Sequence, residues 1–137
     1  MEITKIGMIN FRPQFSIDAH LKNLDENKYH VIMLDGSKIH DKDSLIDEVS
    51  SQVLQGYVGH NLDAFAESLF DYFIDEAHRH KKIALMWTNA EQMSENSLKD
   101  LTEALLILSD ISRDLYVDDS KILVTFLMGY GANFEKG

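Results

Sequence analysis

Apolar positions fall into two kinds of block along the chain. Three runs are short, nearly continuous and rich in β-branched or aromatic residues: 29–35 (YHVIMLD), 82–88 (KIALMWT) and 121–128 (KILVTFLM). A strand with one wet face alternates apolar and polar residues. These runs do not, so each predicts a strand covered on both faces, or a parallel strand with helices packed over it. Between them the apolar spacing lengthens to three and four residues, the period of a helix with one buried stripe. Leu45, Val49 and Val53 form one such stripe, opened by Ser44 with Asp47 three residues on, in the manner of a capping box, and closed by Gly56. Leu62, Phe65, Leu69 and Phe73 form a second, with Asn61 as its N-cap. Leu98, Leu101, Leu105, Leu108, Ile111 and Leu115 form a third, ending before Val117. A shorter helix is predicted over 17–24, started by Ser16.

The order strand, helices, strand, helix, strand predicts an α/β fold: a small three-stranded parallel sheet with helices packed on it in two layers. The 137 residues fit one domain. Within it, 1–28 reads as an N-terminal extension, 29–128 as the core and 129–137 as a tail. Repeats, low-complexity runs and Pro/Ser/Gly linkers are absent, and Pro13 is the one proline.

Composition narrows the chemistry. There is no cysteine, which excludes disulfides and thiolate metal sites. The first residues, MEITKIGMINF, lack a basic region followed by a long apolar stretch, so a signal peptide is not expected. No apolar run is long enough to span a bilayer, and a cytoplasmic protein is the expectation. The formal charge is −10, and residues 43–78 hold eight Asp/Glu and no Lys or Arg, hence −8 of it. Such a field repels nucleic acid and attracts basic partners.

Inside that acidic segment, Asp63, Glu67 and Asp71 recur every four residues and so stand in one row beside the second apolar stripe. Like charges at this spacing cost an isolated helix a few tenths of a kcal/mol per pair. A row of unrelieved carboxylates suits a basic cleft, because Arg–carboxylate bonds are strong and directional. An ordinary solvated helix face is the plainer alternative. Before the row, Gly59 allows a tight turn with positive φ, and the short loop holds Tyr57 and His60 between two helices.

Other chemistries find less support. No His-Glu-x-x-His pair, Gly-x-Ser-x-Gly elbow or phosphate-binding Gly-x-x-x-x-Gly-Lys loop is present. His60, Asp63 and Glu67 could share a helical face and hold a divalent metal weakly, which would make the chain a small hydrolase or metal enzyme. Residues 78–82 (HRHKK) read as a cationic helix end, and Phe65, Leu69, Phe70, Tyr72, Phe73 and Trp87 as packing residues.

The stretch 56–69, GYVGHNLDAFAESL, resembles the signature of the barstar family, small intracellular inhibitors of secreted bacterial ribonucleases. Leu34-Asp35-Gly36 with Ile39, Leu85-Met86-Trp87 and the 122–127 strand resemble further family segments, so that the likeness covers about 29–128. The resemblance implies a non-enzymatic inhibitor without cofactor, a monomer by expectation, that plugs the active site of a basic ribonuclease. Tyr57 would be the loop aromatic against the enzyme, Gly59, His60 and Asn61 would shape the contact, and Asp63 and Glu67 would pair with catalytic cations. Glu67 stands where the best-known members carry Asp, Ala66 where a bulky aromatic is often found, and Asp110 is the candidate for a further acidic contact on the long helix. A regulatory interaction module with a non-nuclease partner is the alternative.

Overall fold

A computed structural model gives the fold and describes residues 8–54 and 59–135, the side chains of 77 and 78 excepted. In chain order, β1 is Ile9–Pro13, α1 Ile17–Glu26, β2 His30–Asp35, α2 Lys42–Val49, α3 Leu62–Arg79, β3 Lys82–Thr88, α4 Glu91–Asn96, α5 Leu98–Asp119, β4 Ile122–Gly129 and α6 Ala132–Glu135. Single 3-10 turns, Gln14–Ser16 and Gly36–Lys38, follow β1 and β2, and a π-helical turn, Ser50–Leu54, extends α2.

The sheet has four parallel strands in the order β1-β4-β3-β2, not the expected three. The added strand lies within the first 28 residues. It pairs Ile9 with Thr125 through to Pro13 with Gly129. Its five residues, INFRP, are too few to display a period, and Pro13 argues against a central strand. At the end of an edge strand a proline is tolerated, since its missing N–H faces no partner.

The two-layer expectation is corrected as well. Alternate residues of the central strands point into two separate cores. Ile83, Leu85, Trp87, Leu123 and Leu127 face α2, α3 and α5. Ala84, Met86, Val124, Phe126 and Met128 face the other way and pack with Leu24, Ile17 and Leu21 of α1. Helices therefore cover both faces, which is why the strand sequences are apolar throughout. Trp87 is fully buried, as a packing residue should be.

Local signals set the helix limits. α2 begins three residues earlier than expected: Asp41 is its N-cap, and Ser44 returns the bond as the third residue of a capping box. Asn61 caps α3, its Oδ1 accepting from the backbone N–H of Asp63 at 2.8 Å and of Ala64 at 3.2 Å. α5 continues through Val117 to Asp119, where Ser120 stops it at φ 55°. Gly36 permits a close approach of two backbones. A Cβ there would lie 1.7 Å from the carbonyl oxygen of Thr88, so only glycine lets the turn after β2 press on the end of β3. No helix of the described residues is long and apolar enough to cross a membrane.

Candidate functional site

α3 runs across the sheet with Phe65, Leu69 and Phe73 buried against it. That one anchored stripe fixes the rotation of the helix, so Asp63, Glu67 and Asp71 all come out exposed. Among the described residues none of the three makes an ion pair. The acidic segment is otherwise less uniform than its charge count. Six of its eight acids are exposed, while Glu48 and Glu76 are buried. Glu48 faces inward to accept the backbone N–H of Asp35 at 2.9 Å, and so anchors the turn after β2 rather than adding to the surface field.

The expected site residues divide between two grooves that follow one another along the side of α3 facing α5. His60, Asn61 and Asp63 border one, together with Lys42, Lys99, Asp100 and Glu103, so that groove carries both signs of charge. Ala66 and Glu67 border the other, a cleft between α3 and α5 with Phe70, Ile107 and Ile111 in its walls. Asp110 lies in this second cleft beside Glu67, as does Asp114. Both Asp110 and Asp114 reach Arg113, at 3.2 and 3.3 Å, so part of their charge is already answered. Exposed pairs of this kind contribute at most about 1 kcal/mol and leave the carboxylates open to exchange partners.

Residues 59–61 lead into α3. Gly59 has φ 76°, the left-handed conformation that glycine adopts without strain. The ring of His60 meets Asp47 of α2 at 2.8 Å, and this hydrogen bond, followed by the field of Asp43, raises the imidazole pKa above its ordinary value. Tyr57 and Gly56 lie outside the described residues.

Asp47, Arg113 and Asp114 were not legible as site neighbours. Asp47 is thirteen positions from His60, a separation that matches no helix or strand period. Asp114 shares a cleft with Glu67 only once α3 and α5 are packed, and Arg113 bears on that cleft through its pairs with Asp110 and Asp114. The trio of His60, Asp63 and Glu67 is not assembled as a metal site: among the described residues no His/Asp/Glu cluster with ligand spacing includes them.

The fold and this face define a small parallel α/β protein that displays a row of carboxylates on a helix rigidly seated on its sheet. A family model described as Barstar (barnase inhibitor) matches residues 29–128, well over half of the chain. The chain belongs to the barstar family. No curated protein matches it individually. Among solved structures, Cdc6p from Pyrobaculum aerophilum is similar in fold at TM-score 0.51 and 13% identity, over 90% of this chain and 32% of that one. This chain thus spans about a third of that protein, and the likeness concerns the fold alone.

Proposed function

We propose that the chain inhibits a basic ribonuclease, in the cytoplasm, by presenting the exposed face of α3 to the enzyme's active site. The observation that carries this reading is the family match, because the 56–69 motif, which runs into the start of α3, lies inside it. Asp63 and Glu67 would take the place of substrate phosphate, pairing with the cationic side chains that bind it. Their backbone is already ordered by the Asn61 cap and the buried Phe65 and Leu69, so association orders little beyond the side chains. Where the resemblance leads one to expect a bulky aromatic, Ala66 leaves the α3–α5 cleft open, and a long basic side chain of the partner fits between Glu67 and Asp110.

The test is inhibition of a barnase-type ribonuclease by the parent and by Asp63→Ala and Glu67→Ala. Loss of inhibition in both variants, with melting curves like the parent's, supports the reading. Inhibition by both variants at parental strength removes α3 as the working face. A parent that does not inhibit such an enzyme points instead to a regulatory module with a different basic partner.

A further inference from the structure

In a parallel α/β unit each helix runs back against its strands, so the end of α3 returns to the level where β2 begins. His30, the first residue of β2, there meets Glu76 and His80 from the end of α3. The Nε2 atoms of His30 and His80 lie 3.7 and 3.9 Å from the same carboxylate oxygen of Glu76, Oε2. Their rings stack with centroids 4.2 Å apart and planes 5° from parallel. One ligand atom from each of the three residues lies within 4.8 Å of the others, and among the described residues this is the one such group. Glu76 is buried, whereas the side chains of His30 and His80 are 37% and 41% exposed. The Arg79 guanidinium sits 3.5 Å from the other oxygen, Oε1, leaving Oε2 turned towards the two imidazoles.

We propose that His30, Glu76 and His80 form a site for a borderline divalent transition ion of the Zn2+ class, with water in the fourth position. Two imidazoles and a carboxylate are the donor set such ions favour, and Ca2+ and Mg2+ do not. Bond lengths near 2.0–2.2 Å in a tetrahedron separate ligand atoms by roughly 3.4 Å. The observed 3.7 and 3.9 Å exceed that by a few tenths, a gap closed by turning two half-exposed rings out of their stack. Glu76 is the fixed member, because burial holds its carboxylate in place. The ion would clip the edge strand β2 to the end of α3 and so stabilise the native state. At 1.5 Å rise per residue, Glu76 is about 20 Å along α3 from Asp63, so the site is separate from the proposed partner face.

The experiment titrates chelator-treated full-length protein with ZnCl2, read by calorimetry, by thermal melting and by the histidine ring signals in NMR. The expected result is one saturable site per chain, a Tm that climbs with the logarithm of free Zn2+, and shifts at His30 and His80 but not His40. His80→Ala, at a half-exposed position, should melt like the parent without metal and lose at least about 10-fold in affinity, since even residues behind the ligands are worth that much. His40→Ala should bind as the parent does. Absence of heat and of any Tm rise in the parent overturns the proposal, as does parental affinity in His80→Ala or ring shifts confined to other histidines.

Discussion

The imidazole of His60 lies 2.8 Å from a carboxylate oxygen of Asp47, joining the start of α3 to α2. The bond is strongest when the ring is protonated, so His60 should titrate above its ordinary value of 6.5. A pKa raised by folding stabilises the native contact below the unfolded value, and the contribution fades as pH rises through the folded value. NMR titration of the His60 ring should place its midpoint above 6.5, and Asp47→Asn should move it back down. A midpoint unchanged by Asp47→Asn would mean that the contact is not formed in solution.

For the proposed inhibitor, Asp63→Ala and Glu67→Ala should each weaken binding by about 2 kcal/mol or more, roughly 30-fold in Kd, because each leaves a cation of the partner unpaired. Asp110→Ala should cost less than Glu67→Ala, since Arg113 already answers part of the Asp110 charge. Calorimetry on the three complexes gives the order directly, and an Asp110 effect larger than that of Glu67 contradicts it.

Association should also be salt-dependent. The six exposed acids between 43 and 78 steer a basic partner, and charges farther apart than about 10 Å are screened at 0.1 M salt. The association rate should fall on the order of 10-fold between low and physiological ionic strength, with a much smaller change in the dissociation rate. A rate indifferent to salt would assign recognition to apolar contacts instead.

Gly36→Ala should destabilise the fold by about 3 kcal/mol or more. The new methyl would meet backbone, the Thr88 carbonyl at 1.7 Å, and backbone cannot rotate away as a side chain does. Denaturant unfolding measures the loss, and a variant as stable as the parent would show that the turn and the end of β3 are farther apart.

Two smaller costs separate capping from anchoring. Asn61→Ala removes the acceptor of two helix N–H groups and should cost about 1 kcal/mol. Glu48→Ala leaves the backbone N–H of Asp35 without its acceptor and should cost roughly 1–3 kcal/mol. If Glu48→Ala proves neutral, its carboxylate belongs with the surface field and not with the turn.

Residue order alone suffices for the three apolar strands, the stripe of α3 with its Asn61 cap, the exposed row of Asp63, Glu67 and Asp71, and the family. Each of these is a local property: strand and helix periods differ, and a stripe of buried residues dictates what the opposite side displays. Packing settles the rest. β1 becomes a strand only because β4 offers it an open edge, and α1 makes a second core only because the strands point alternate residues to both faces. The cap of α2 falls on Asp41 because Ser44 serves as the third residue of the box, not its first. Glu48 and Glu76 look like members of the acidic field until the packing turns them inward. The cleft shared by Glu67 and Asp110, and the meeting of His30 with Glu76 and His80, join residues dozens of positions apart. No spacing along the chain encodes such neighbours, because their separation is set by how helices and strands pack, and that is a property of the whole fold.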